Sequence, residues 1–170
     1  MNAKESPFLT RLDAVAAQNA RRQISSQLVE KLVAANDFPL PKVLVEREVD
    51  GLLDESRHYI SRAGISWDDY LKESGKTEEE LRSQFREEAE RRVKTTLLIE
   101  EIAKREAIEA TPAELEVELG ALARQYGQPP EKILELLGSN VGALVDGIVR
   151  TKTIDRLIER AKRVPATKSA

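Results

Sequence analysis

The chain has 170 residues, of which 34% are charged, 41% hydrophobic and 4% aromatic, and its formal net charge is −3. Many charged side chains combined with few aromatic ones favour helices over sheets. The acidic balance argues against nucleic acid as the main partner, which requires a basic surface, and the lack of cysteine excludes disulfides and thiolate metal sites.

The first two predicted helices are separated by an elbow that contains two prolines. Ser6-Pro7 is a typical helix start, with serine as the N-cap and proline in the first helical position. Apolar residues at helical spacing continue from there to Ala35. The prolines in Asn36–Pro41 exclude helix from the residues before them. A second helix follows the elbow and is predicted to end at Gly64.

A short helix and a long helix come next. Ser66 and Asp69 form a capping box, and Gly75 is predicted to end the short helix that they begin. The long helix is predicted over Thr77–Ala107 and opens with a capping box between Thr77 and Glu80. Its apolar residues form a narrow line in the first half and a broad face in the second. We therefore expect the first half to contact one neighbour and the second half to lie in a core.

Three further helices complete the predicted fold. Thr111–Glu114 combines an N-cap threonine, a proline and a glutamate at the third position, and Gly127 ends the helix that follows. Pro129-Pro130 begins a short helix that Gly138 ends, and Asn140 is predicted to cap the last helix. No segment shows the alternation typical of strands. The sequence therefore predicts an all-α fold of seven helices with an elongated outline, in which the long helix over Thr77–Ala107 projects from the body at its N-terminal end.

The domain boundaries follow from composition. We expect an N-terminal extension over residues 1–6 before the first helix, a helical domain over 7–164 and a disordered polar tail over 165–170. Met1–Ser6 is too short for a secretory signal, and no apolar run approaches the roughly 18 residues that span a bilayer. The expected location is therefore the cytoplasm.

No residue pattern indicates catalysis. His58 is the single histidine and has no accompanying nucleophile signature, so we expect it to lie on a helix surface. The pairs Glu87-Glu88 and Glu100-Glu101 lack histidines that would make them good metal sites. Most other carboxylates alternate with Arg and Lys three or four residues away, as on solvated, salt-bridged helix faces. The prediction is a protein without enzymatic activity, metal or cofactor.

Apolar surface is the remaining candidate for function. The short sixth helix carries more apolar residues than one neighbour can cover, so Ile133, Leu136 and Leu137, together with Tyr126, are candidates for an exposed interaction surface. Ile60, near the end of the second helix, is another candidate. The alternative, that each of these residues belongs to an ordinary core, is open at this point.

Three segments of the chain resemble a known family, the C-terminal domain of bacterial trigger factor. They are LVEKLVAANDFPLPKVLVEREVDGLL (Leu28–Leu53), DYLKESGKTEEELRSQFREEAERRVK and IEATPAELEVELGALARQYG. Their order and spacing extend the resemblance from about Val15 to Val164. The resemblance implies an all-helical body with two arms, whose cradle shields nascent or unfolded chains without ATP. By the same resemblance Ile60, Tyr126, Ile133 and Leu136 correspond to positions that contact client polypeptides.

The resemblance also limits what is expected of this chain. The family's ribosome-docking loop, G-F-R-x-G-K-x-P, and its prolyl-isomerase domain have no counterpart in the sequence. We therefore expect contact with a ribosome only through a domain that this chain lacks, and no isomerase activity. The helical domain of periplasmic parvulin-type chaperones is a related alternative. A different alternative is a helical scaffold or dimerisation module that binds no client, and a homodimer is left open.

Overall fold

The structure, a computed structural model, describes residues 7–161, within which seven α-helices follow one another and no strand occurs. They are α1 (Pro7–Ala35), α2 (Lys42–Arg62), α3 (Trp67–Ser74), α4 (Glu78–Arg105), α5 (Pro112–Tyr126), α6 (Pro130–Leu137) and α7 (Val141–Arg160). The all-α prediction and the seven predicted helices are confirmed for this part of the chain. The Ser6 cap, the extension over 1–6 and the tail over 165–170 lie outside the described residues.

The helix starts agree with the predicted caps. The backbone N–H of Thr77 donates to the Glu80 carboxylate at 2.8 Å, and the Glu80 N–H donates to the Thr77 hydroxyl at 3.2 Å. Thr111 and Glu114 form the same reciprocal pair at 2.7 and 3.3 Å. The Ser66 hydroxyl accepts the backbone N–H three residues later at 3.1 Å. The boxes at Thr77 and Thr111 each satisfy two backbone N–H groups at the start of a helix, whereas the box predicted between Ser66 and Asp69 forms only its Ser66 half.

Two predicted glycine stops are confirmed, and one predicted N-cap is not. Gly75 and Gly127 end α3 and α5 in the left-handed conformation, as predicted. Asn140, however, makes no side-chain cap, because a 3-10 turn over Gly138–Asn140 leads directly into α7. The predicted Asn140 cap is therefore wrong.

The end of α4 uses an alanine where a glycine is usual. Ala107 has φ 51°. The N–H of Ile108 donates to the carbonyl of Ala103 at 2.8 Å, and the N–H of Ala107 donates to that of Lys104 at 3.3 Å. This pair of bonds is the Schellman motif, whose left-handed position favours glycine because a Cβ is unfavourable there. The hydrogen bonds hold Ala107 in a conformation that its own side chain opposes.

The described chain divides into two compact units. The middle unit is Lys31–Leu98, which contains α2, α3 and the first part of α4. The terminal unit is Met1–Glu30 together with Ile99–Ala170, which contains α5, α6 and α7.

The middle unit is organised around a core between α2 and α4. α3 contributes the partly buried side chains of Trp67, Tyr70 and Leu71 to its edge. The narrow apolar line of α4 thus packs on α2, as expected of a helix half with one main neighbour. The buried members are Val45, Val49, Leu52, Leu53, Leu81, Ala89 and Val93.

Ion pairs between α2 and α4 border this core. Arg82 contacts Asp50 at 2.6 Å and Glu46 at 3.2 Å, and Arg86 contacts Glu46 at 2.5 Å. Hydrogen bonds from Arg86 and Arg82 hold the pKa of Glu46 below its usual range. The sequence pattern indicated pairs within one helix, and such pairs exist, for example Arg91 with Glu88 at 2.7 Å. The arginines of α4 also form ion pairs with carboxylates of α2. The spacing of charged residues within one helix does not predict such pairs between helices.

Candidate functional site

The terminal unit contains a small core made by α5, α6 and α7. Leu119 and Ala123 of α5 stand one helical turn apart and are buried against Ile133 of α6. Partly buried leucines surround these three residues. They are Leu115, Leu122, Leu137 and Leu144. This core fixes the short helix α6 on α5.

Some of the residues predicted to contact clients are exposed, and others are buried. Tyr126 is 64% exposed and Leu136 is 69% exposed, so the expectation that they face solvent is confirmed. Ile133 is only 5% exposed, and the same expectation is wrong for it. The reason is helical geometry, because Ile133 and Leu137 stand four residues apart on the face that packs on α5. Leu136 lies to one side of this face and is left without cover.

The two remaining predicted residues are not surface residues either. Leu137 is half-buried and packs against the α5–α6 core. Ile60 belongs to the middle unit and is buried there. It stands eleven residues, or about three turns, after the buried Val49, which places it on the inward face of α2. The expectation of an exposed Ile60 is therefore wrong.

Three exposed apolar residues of the terminal unit were not predicted as surface residues, namely Val15, Val117 and Leu134. Leu134 lies on the other side of α6 from Leu136, and Val117 lies on α5, where it is 66% exposed. Leu134 adds to the apolar content of its helix, but its residue type alone does not show which side of the helix faces α5. Val117 stands between Glu116 and Glu118, so the sequence gives no apolar run that would draw attention to it.

α5 and α7 also border an open groove of about 580 Å³. Its lining is mostly apolar or small and includes Val117 from α5 and Leu144, Gly147 and Ile148 from α7. Grooves of this size with an apolar lining and a few polar groups are typical of ligand sites. The groove is separate from the exposed residues Tyr126 and Leu136, which do not line it.

A charged clamp at the groove ties α5 to α7. The Lys152 ammonium donates to the Glu109 carbonyl at 2.6 Å and to the Glu114 carboxylate at 2.9 Å. Glu114 also accepts bonds from the backbone and hydroxyl of Thr111. The Lys152 hydrogen bond, followed by those from Thr111, lowers the pKa of Glu114 from 4.5 to about 2. The Glu114 carboxylate of this clamp is thus ionised at neutral pH.

Other chemistry is not indicated in the part of the chain that the structure describes. His58 lies on the surface of α2, with Nδ1 2.9 Å from the Asp54 carbonyl, as predicted. Residues 7–161 hold no group of three or more side chains arranged to bind a metal ion. Within the same range, every helix is too short or too polar to cross a membrane.

Comparison with known proteins gives consistent matches to one family. The profile of the bacterial trigger factor protein C-terminus matches residues 9–159. The chain is 38% identical over 145 residues to trigger factor from Carboxydothermus hydrogenoformans and 36% identical over 155 residues to that from Moorella thermoacetica. These alignments cover 85% and 91% of this chain but 34% of each relative. The chain therefore spans about a third of the length of these relatives.

One solved structure has the same fold. It contains domains of trigger factor from Thermotoga maritima and matches with a TM-score of 0.61 and 23% identity. The match covers 84% of this chain and 83% of that one. At this identity the likeness establishes the helical fold alone.

Proposed function

The chain belongs to the bacterial trigger factor C-terminus family, and from this premise we propose that it is an ATP-independent chaperone domain that binds apolar segments of unfolded or nascent polypeptides. The observation that supports the proposal most is the exposure of Tyr126 and Leu136 on two helices that share a buried core. An apolar side chain that faces solvent on a rigid support can bind a partner at little conformational cost.

Several such contacts must act together. Burying one large apolar side chain contributes about 1.5–3 kcal/mol at most, which is too little for binding by itself. Tyr126, Leu134 and Leu136 lie on α5 and α6 within eleven residues of sequence. Weak contacts of this kind bind many different sequences, since they recognise apolar area rather than a defined pattern of hydrogen bonds.

The cellular location and the lack of catalytic activity are also proposed on the basis of the family. We infer a cytoplasmic location and no enzymatic activity for these residues. By the resemblance to the family, we expect prolyl isomerisation and ribosome contact to belong to other parts of the longer relatives. In a proline-peptide assay with the purified chain, isomerisation should proceed only at the uncatalysed rate, with a time constant on the order of tens of seconds.

The proposal is tested by changing the exposed residues while leaving the core intact. The double variant Y126S/L136S should melt close to the wild type, because substitutions of exposed residues usually change stability by about 0.5 kcal/mol or less. It should nevertheless suppress the aggregation of a denatured enzyme less well than the wild type. V43S is the matched control, since Val43 of the middle unit is exposed to a similar degree. Equal suppression by wild type and double variant would contradict the proposed surface.

The alternative of a dimerisation module makes a different prediction for the same residues. If a second copy covers Tyr126 and Leu136, light scattering should show a dimer that the double variant converts to a monomer. The wild type would then fail to protect a denatured enzyme. A monomer that protects the enzyme favours the chaperone.

A further inference from the structure

The short helix α3 lies between two glycines that have the left-handed backbone conformation. Gly64, after the end of α2, has φ 79°, and Gly75, after the end of α3, has φ 65°. Apart from the chain neighbours of each glycine, no heavy atom of the described residues lies within 4 Å of where its Cβ would stand. Hinges in proteins are a few residues at the ends of elements that absorb large changes in φ and ψ. Both glycines meet this requirement, because neither a side chain nor close packing restricts them.

Few contacts hold α3 in place. None of its residues is fully buried, and its three half-buried side chains, Trp67, Tyr70 and Leu71, pack against the edge of the α2–α4 core. Within residues 7–161, the Trp67 indole makes the one side-chain hydrogen bond from α3 to another helix, and no ion pair joins them. Segments with few buried apolar contacts open locally at a lower free energy than the rest of a fold.

One carboxylate oxygen of Glu78 connects α3 to both neighbouring helices. Glu78 is the first residue of α4, and its Oε2 accepts a bond from the Trp67 indole N–H at 3.2 Å and one from Arg57 of α2 at 2.6 Å. The guanidinium carbon of Arg57 also lies 5.3 Å from the Trp67 ring centroid, a cation–π distance. The bonds from Arg57 and Trp67 hold the pKa of Glu78 below its usual range. These three residues are called the Glu78 latch below.

The Glu78 latch lies at one end of the α2–α4 core. The buried Leu53 precedes Arg57 on α2 by four residues, about one helical turn. The buried Leu81 follows Glu78 on α4 by three residues, so it lies on the same side of its helix. Movement of α3 away from its neighbours therefore uncovers apolar side chains at this end of the core and leaves the opposite end packed.

We propose that α3 is a hinged lid over this end of the core, which turns about Gly64 and Gly75 and is held closed by the Glu78 latch. The inference goes beyond the proposed chaperone function, because it concerns a movement within the middle unit and involves no partner. The latch determines how often the lid opens, since its bonds are made in the closed form and lost in the open one.

The test uses the absence of cysteine from the chain, so that one introduced thiol is the only group to react. L81C places the thiol under the lid. V93C places it in the same core, twelve residues or about 18 Å farther along α4. Each is combined with E78A, which removes the latch, or with the control E79A, which removes the next carboxylate of the same helical turn. The rate of reaction with a thiol reagent is measured, and circular dichroism checks the helix content.

We expect E78A to accelerate the reaction of L81C about tenfold, because two hydrogen bonds of the closed form are lost, and to leave V93C nearly unchanged. E79A should change neither rate. W67F keeps an aromatic ring in place and removes only the indole donor, so it should accelerate L81C by a smaller factor, about threefold.

Two results would overturn the lid. Equal rates for L81C with and without E78A show that the latch does not hold α3. Equal acceleration of L81C and V93C shows that the latch only stabilises the unit as a whole, without a separate opening of α3. If E78A loses helix content, W67F decides between the same outcomes. No client is present in these measurements, so a failure of the lid leaves the proposed chaperone function untouched.

Discussion

The two units bury their apolar residues differently. The middle unit has a core cluster of seven buried residues, and the α5–α6 core of the terminal unit has three. Both units expose large apolar side chains. In the middle unit Val43 and Tyr59 are separated by sixteen positions of α2, or about 24 Å, and Ile65, which is 42% exposed, follows the end of α2. In the terminal unit Leu134 and Leu136 lie within the two turns of α6, and Tyr126 ends the preceding helix.

Both units expose apolar residues, so the spacing of these residues on the surface, rather than their number, distinguishes the proposed client-binding surface. Single apolar residues on a surface are normal, whereas neighbouring ones mark interaction sites. α6 has eight residues and one well-packed face, which leaves Leu134 and Leu136 exposed among the described residues of the unit. The arginines and carboxylates of α2 and α4 by contrast cover the border of the middle core.

The largest expected effect separates buried from exposed leucine. Leu53 of the middle unit is 1% exposed, and L53A should lower the free energy of unfolding by about 2–5 kcal/mol. L136A should change it by about 0.5 kcal/mol or less. Urea titrations followed by the fluorescence of Trp67, the single tryptophan, and by circular dichroism measure both. Similar losses in the two variants would show that Leu136 is not exposed.

A smaller effect of opposite sign is expected where α4 ends. A107G should raise the free energy of unfolding by about 0.5–1 kcal/mol, because glycine adopts the left-handed conformation at φ 51° without the penalty of a Cβ. A110G, three residues later and without a positive φ, is the control and should not stabilise. A lower stability of A107G in the same urea titration would mean that the Schellman geometry is not formed.

The smallest effect concerns the Glu114 clamp and depends on pH. The pKa of Glu114 is lowered to about 2 from 4.5, so the folded state binds this proton less readily than the unfolded state. Its contribution is complete above about pH 4.5 and is lost as the pH falls towards 2. The melting temperature of E114Q should therefore lie below that of the wild type at pH 6 and converge with it near pH 2. A difference that stays constant over this range contradicts the clamp.

Local rules were sufficient for most of the fold. Capping boxes at Thr77 and Thr111 and stops at Gly75 and Gly127 are encoded within three or four neighbouring residues, and they appear where the sequence places them. The failures arise where a neighbouring element decides. The side chain of Asn140 makes no cap hydrogen bond because the residue ends a 3-10 turn that leads into α7. Its residue type alone does not indicate this turn.

The candidate site was predictable only in part for the same reason. The composition of α6 shows that some apolar residues must be uncovered, but which ones depends on the side that faces α5. Ile133 and Leu136 have the same hydrophobic character and differ by three positions, yet the first is buried and the second exposed. Val117 and Gly147 are thirty positions apart in the sequence but line the same groove between α5 and α7, and no local pattern contains that information.

The most direct test of the account compares one position from each unit. Leu136 and Val43 are 69% and 67% exposed, so a photoreactive phenylalanine derivative fits at either without disturbing a core. Each labelled chain is illuminated with a reduced and alkylated, permanently unfolded protein, and the crosslinked product is measured. The account predicts strong crosslinking from position 136 and little from position 43. Equal yields from the two positions, or a higher yield from position 43, would contradict it.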